Sequence, residues 1–139
     1  MVKLPAVPGR QYLAVPSASV ALPDGSVLVG TKDTMLARIK GDHVFSLGQV
    51  CAAGAIHGLD LAPDGSVWGV AGHSQGVGQL FRYTEEHGLE LLGLLPEAFA
   101  ENGRNVAIYR PTVLAISPDG KYLAVGGADE MGGVVVLTL

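Results

Sequence analysis

The chain has 139 residues, a net charge of −4, 48% hydrophobic residues and only 16% charged residues, against roughly 25% charged in an average globular protein. That length suits one domain, and so small a chain with so few charges must hide apolar surface against a partner or inside something larger. The acidic balance without a long basic run argues against nucleic acid, the absence of about 18 consecutive apolar residues argues against a membrane span, and the single Cys51 excludes an intrachain disulfide.

Residues 1–10 hold Pro5, Pro8 and Gly9 and read as irregular, without the continuous apolar core of a signal peptide, so a cytoplasmic location is expected. Gln11 to Val15 is a short β-prone run that Pro16 should stop. A first unit follows: strand Ser17–Leu22, turn Pro23-Asp24-Gly25, strand Ser26–Thr31, connection Lys32-Asp33, strand Thr34–Lys40, turn Gly41-Asp42 and strand Val44–Val50. The second unit repeats it with His57–Ala62, a Pro63-Asp64-Gly65 turn, Ser66–Ala71, a glycine-rich loop from Gly72 to Gly78, Gln79–Thr84, a turn and Leu89–Leu95. A connection from Pro96 to Pro111 could hold one helical turn near residues 97–101. The third unit runs Thr112–Ser117, Pro118-Asp119-Gly120, Lys121–Gly126, a loop and Gly133–Leu139, and so has three strands.

The three Pro-Asp-Gly turns organise the chain. Pro pre-sets φ, Asp bonds the backbone just ahead, and Gly takes the left-handed position that closes a three-residue hairpin with a bulge. Runs such as Val27-Leu28-Val29 and Val134-Val135-Val136-Leu137 are apolar on both sides, the pattern of sheets covered on both faces.

These hairpins resemble the β-propeller repeats of the WD-repeat-like and streptogramin-lyase-like superfamilies over residues 17–139. The run from His57 to Trp68, with its His-Gly, Pro-Asp-Gly and Trp, is most similar to streptogramin lyase, while no Gly-His and Trp-Asp pair of a true WD repeat is present. The resemblance implies an all-β chain of three four-stranded antiparallel blades, at about 17–50, 57–95 and 112–139, the last completed by residues 11–15. Propellers close with about four to eight blades. The expectation is therefore a homodimer closing a six-bladed ring, with residues 11–15 of one copy pairing with residues 133–139 of the other.

Aligned on the turns, Ser17, His57 and Thr112 are equivalent, and the resemblance sets them at the mouth of a central channel. Lys32 and Asp33, then His73, Ser74 and Gln75, then Asp129 and Glu130 occupy the loops after the second strands, with Arg110 just before the third unit. Ser17, His57, His73, Arg110, Thr112, Asp129 and Glu130 are the candidate ligand-binding residues, and their mixed charge suits a small polar neutral or zwitterionic ligand, or a peptide. No metal or other cofactor is expected, since nothing has ligand spacing. His43 and His87 read as solvated, Cys51 as an inert thiol, Trp68 as packing between blades, and Asp24, Asp64 and Asp119 as turn residues. Gly76-Val77-Gly78 lies in a strand-to-strand loop, the wrong context for a phosphate loop. The leading functional expectation is a non-catalytic binding or assembly module. The alternative is a lyase or hydrolase of the streptogramin-lyase type, with His57 or His73 as general base.

Overall fold

Each Pro-Asp-Gly turn closes an antiparallel hairpin in the computed structural model, which describes residues 3–4, 14–72, 78–94, 111–127 and 134–139. In the first hairpin β1 (Pro16–Ala21) pairs with β2 (Val27–Thr31), and in the second β5 (Ala55–Leu61) pairs with β6 (Val67–Gly72). The amides of Leu22 and Ala62 bond the carbonyls of Ser26 and Ser66, both at 2.8 Å, around three-residue loops. Gly25 and Gly65 take the left-handed position, with φ of 87° and 89°. Each Asp accepts its Ser amide at 2.9 Å, and the Ser26 and Ser66 hydroxyls donate to the same carboxylate oxygens at 2.5 and 2.6 Å.

The third hairpin, of β9 (Pro111–Ile116) and β10 (Tyr122–Gly127), is different. The Ser117 amide bonds the Tyr122 carbonyl at 2.9 Å, so the loop has a fourth residue. Ile116 then faces Leu123, where Leu61 faces Val67 in the second hairpin. Lys121 stands where the other turns have serine, and the hydroxyl role passes to Ser117, which donates to Asp119 at 2.6 Å. A one-residue slip sends every later side chain to the opposite face. Leu123 and Val125 are therefore buried and Tyr122 is exposed.

The first sheet has the order β1-β2-β3-β4, with β3 at Met35–Lys40 and β4 at His43–Gln49. The second has the order β5-β6-β7-β8, with β7 at Gln79–Thr84 and β8 at Gly88–Leu94. The third, β11-β10-β9 with β11 at Val134–Thr138, has three described strands rather than four. Of the expected completing strand, residues 11–13 lie outside the described residues, as does the helical turn near 97–101. The Val15 carbonyl accepts the Lys32 amide at 2.8 Å and so extends β1 within its own chain. Pro16 opens β1, a first-strand position that tolerates proline. Thr34, expected to begin a strand, instead turns with φ 65°. That conformation is costly for a β-branched residue. It is held by the Val50 amide on the Thr34 carbonyl at 2.9 Å, with the Thr34 hydroxyl within hydrogen-bond distance of the Asp33 and Cys51 carbonyls at 2.5 and 2.6 Å.

The sheets stack in chain order, with the first strand of each, β1, β5 and β9, side by side. One core, including Leu28, Leu36, Ile56, Val67, Phe81 and Tyr83, lies between the first and second sheets. A second, including Val70, Leu80, Leu123 and Val125, lies between the second and third. The second sheet is thus covered on both faces, as its apolar strands require. Among the described residues no helix is long and apolar enough to cross a membrane.

Candidate functional site at the bulged ends of the innermost strands

A β-bulge interrupts each innermost strand at the aligned polar residue. Pro16 pairs with Thr31 and Ala18 with Gly30, which leaves Ser17 without a cross-strand partner. Ile56 pairs with Ala71 and Gly58 with Val70, which skips His57. Pro111 pairs with Gly127 and Val113 with Gly126, which skips Thr112. Bulges re-aim side chains and concentrate beside functional sites. The strand order thus brings Ser17, His57 and Thr112 onto three adjacent strands, each at the end away from its Pro-Asp-Gly turn.

Their hydrogen bonds define what they can still offer. The Ser17 hydroxyl lies 2.6 Å from the Ile56 carbonyl and 3.2 Å from the Gly30 carbonyl. It has one proton, and the shorter contact takes it. That bond ties the first sheet to the second beside His57 and leaves Ser17 oxygen lone pairs. His57 Nε2 lies 2.9 Å from the Gly72 carbonyl. Only a protonated Nε2 can bond a carbonyl, so in the neutral ring Nδ1 carries the free lone pair. Ser17 and Thr112 are exposed and His57 is half-buried. Lys32 is exposed, while Asp33 is buried beside Thr31 and Thr34. His73, Ser74, Gln75, Arg110, Asp129 and Glu130 lie outside the described residues. Among the described residues no three His, Cys, Asp or Glu side chains gather to hold a metal. The Cys51 thiol donates to the Ala53 carbonyl at 2.8 Å, and burial pushes its pKa up. His43 and His87 are exposed.

Sequence reasoning missed a second arrangement at the opposite end of the strands. A cleft of about 500 Å³ lies between the turns of the first two units, lined by residues including Pro23, Asp24, Asp64, Tyr83 and Glu85. Arg38 bonds Asp24 within its own sheet and reaches Glu85 of the next at 2.6 Å. A cleft of about 380 Å³ between the second and third units is bordered by Asp64, Trp68, Arg82 and Asp119. There Trp68 Nε1 donates to Ser66 Oγ at 3.1 Å, and the Arg82 guanidinium lies 5.5 Å from the indole centroid while bonding Glu90. The available signal was Asp-Gly-Ser recurring in two turns, each with an arginine on the third strand of its unit.

The turn carboxylates bear on acid stability. The Ser26 hydroxyl, then its amide, then Arg38 hold the Asp24 pKa down at about 2. Asp64 and Asp119 are also lowered, chiefly by the hydroxyls of Ser66 and Ser117. A carboxylate that binds its proton less tightly when folded adds stability that is complete above the unfolded value, about 3.9. That stability is lost as pH falls through the folded value. Unfolding midpoints measured at successive pH are therefore expected to drop between about pH 4 and pH 2. Ser26→Ala should flatten that drop and raise the Asp24 titration midpoint in a carboxyl NMR titration. An unmoved midpoint would show that the hydroxyl does not set it.

No family model matches the chain, and no curated protein matches it. Solved structures do. Virginiamycin B lyase from Staphylococcus aureus is 14% identical with a TM-score of 0.58, over 90% of this chain and 41% of that one. The β-propeller domain of Cps50 (Swd1) from Myceliophteria thermophila is 18% identical with a TM-score of 0.56, over 90% and 44%. A putative oxidoreductase (glucose dehydrogenase) from Thermus thermophilus is 21% identical with a TM-score of 0.63, over 89% and 44%. At these identities the likeness shows the fold, an all-β arrangement of antiparallel propeller sheets, and this chain spans less than half the length of each.

Proposed function

We propose that this chain is a three-bladed propeller segment, with blades at about 17–50, 57–95 and 112–139, that works as a non-catalytic binding and assembly module in a six-bladed ring completed by a second copy. Its ligand sits at the bulged ends of the innermost strands. The observation that supports this most directly is the coincidence of three bulges with three aligned polar residues, Ser17, His57 and Thr112. Ser17 and His57 have already given their protons to the Ile56 and Gly72 carbonyls, and what remains on both is an acceptor. The ligand is accordingly a small polar molecule rich in O–H or N–H donors rather than an anion. In the same reading His73, Arg110, Asp129 and Glu130 are further rim residues.

Calorimetric titration with a panel of polyols, amino acids and amines tests the reading. His57→Ala is expected to weaken any binding about tenfold, the loss of one hydrogen bond in a partly dry site, and Thr112→Ala should do so less. Binding that survives both substitutions, or binders that are all anions, would put the site elsewhere. The likeness to virginiamycin B lyase supports the alternative, a lyase or hydrolase at the same end with His57 Nδ1 as base. Loss of virginiamycin B on incubation with the protein, abolished by His57→Ala, would replace the binding reading with that one.

A further inference from the structure

The two clefts between the Pro-Asp-Gly turns are not alike. At the second junction a Cβ placed on Gly120 would lie 3.1 Å from Pro63 Cδ, so the turn of the third sheet closes on the turn of the second. At the first junction the same place on Gly65 has no atom within 4 Å, and Gly65 borders the cleft of about 500 Å³. A volume of that size suits a small ligand.

Tyr83 brings an unpaired hydroxyl to this cleft. It stands opposite Val67 on β6. The corresponding residues are Ile39, opposite Val27 in the first sheet, and Leu137, opposite Leu123 in the third. Packing at this place is thus met by an aliphatic side chain and needs no oxygen. Tyr83 is 7% exposed and lines the cleft, and its hydroxyl bonds none of the described residues. Among those residues no buried side-chain oxygen lacks a partner, so the open part of Tyr83 includes the hydroxyl. A phenol oxygen can both donate and accept.

Asp64 lacks the cation that its repeat counterpart has. Arg38, opposite Leu28, bonds Asp24 of its own turn and Glu85 across the junction, and Lys40 stands 3.9 Å from Asp24. Arg82 holds the same place in the second sheet, opposite Trp68, but its hydrogen bonds go to Glu90. It acts on Asp64 only through its charge. The Ser66 hydroxyl and amide take Asp64 Oδ1, which lowers the Asp64 pKa and keeps it ionised, and Oδ2 has no side-chain donor. Glu86 also lines the cleft and has His87 at 3.8 Å. Leu22 and Pro23 add apolar wall. The cleft therefore offers a carboxylate oxygen, a hydroxyl and apolar carbon under an excess of negative charge that repels anions.

We propose that this cleft binds a small organic cation, a primary ammonium on a short alkyl stem, which donates to Asp64 Oδ2 and the Tyr83 hydroxyl and lays its stem against Leu22 and Pro23. The ammonium supplies at Asp64 what Arg38 supplies at Asp24, and its three N–H groups suit several acceptors at once. The site lies at the other end of the strands from Ser17, His57 and Thr112 and does not depend on a ligand there.

The test is an amide NMR titration of the whole chain with butylammonium chloride, with potassium chloride, butanol and sodium butyrate as controls. Butylammonium is expected to shift Asp64, Gly65, Ser66 and Tyr83 saturably, and the controls to leave them in place. Tyr83→Phe is expected to weaken binding about fivefold, the loss of one hydrogen bond. Its thermal midpoint should not move, because the hydroxyl has no protein partner to lose. Asp64→Asn, which keeps an oxygen for Ser66, should weaken binding at least about tenfold. Binding at full affinity in either variant would overturn the proposal, as would no saturable shift at all. Shifts confined to Ser17, His57 and Thr112 would also overturn it by moving the amine to the bulged ends, and equal shifts with potassium chloride would do so by showing an adventitious ion only.

Discussion

Phe81→Ala is expected to cost about 3–5 kcal/mol of unfolding free energy, enough to leave a small domain of ordinary stability close to unfolded at room temperature. Phe81 is fully buried on the face of β7 toward the first sheet, in one core with Leu28, Leu36 and Ile56 from two sheets. Its ring covers Gly69 on the neighbouring strand so closely that a Cβ there would lie 2.1 Å from the ring. Removing the ring exposes a glycine floor with no side chain to collapse into the space, so the cavity persists and the cost lies at the high end for its type. Urea unfolding followed by tryptophan fluorescence measures it through Trp68, with Phe81→Leu, which refills part of the space, expected to recover more than half of the loss. A cost below about 1 kcal/mol for Phe81→Ala would mean that the first two sheets do not share this core.

The elements that sequence reasoning placed well are those fixed by local chemistry. Pro-Asp-Gly specifies a left-handed glycine and an Asp-bonded amide whatever surrounds it, and Gly25, Gly65 and Gly120 all take positive φ. The register of the third hairpin escaped because it depends on one hydroxyl moving from the residue after the turn to the residue before it. Ser26 and Ser66 follow their turns, whereas Ser117 precedes its own, and that exchange lengthens the loop. The repeat alignment therefore holds before the third turn, where Thr112 falls in place with Ser17 and His57. It fails after the turn, where Leu123 aligns with Trp68 but takes the role of Val67. The bulges were legible only as a break in alternation. In Ile56-His57-Gly58-Leu59 the two apolar residues that face the first sheet are three apart instead of two. The Arg38–Glu85 bond across sheets had no sequence signal, because it depends on the stacking angle between two units rather than on either unit alone.

The inter-sheet junction makes the sharpest energetic claim, at Gly30 and Ile56. A Cβ at Gly30 would lie 2.5 Å from Ile56 Cγ2 and 2.7 Å from Ile56 Cβ, so the fully buried isoleucine occupies the space that the glycine leaves. Ile56→Ala is expected to cost about 2–5 kcal/mol, from lost burial and the cavity between the first two sheets. Gly30→Ala is expected to cost about 1–3 kcal/mol by overpacking, even though alanine is better than glycine by roughly 0.5–1 kcal/mol in a strand interior. Made together, the two changes should cost less than their sum by at least about 1 kcal/mol, because the new methyl enters the space that the old side chain vacated. Urea unfolding of the four proteins in this cycle gives the coupling directly. Strict additivity would show that β2 and β5 do not touch at this point.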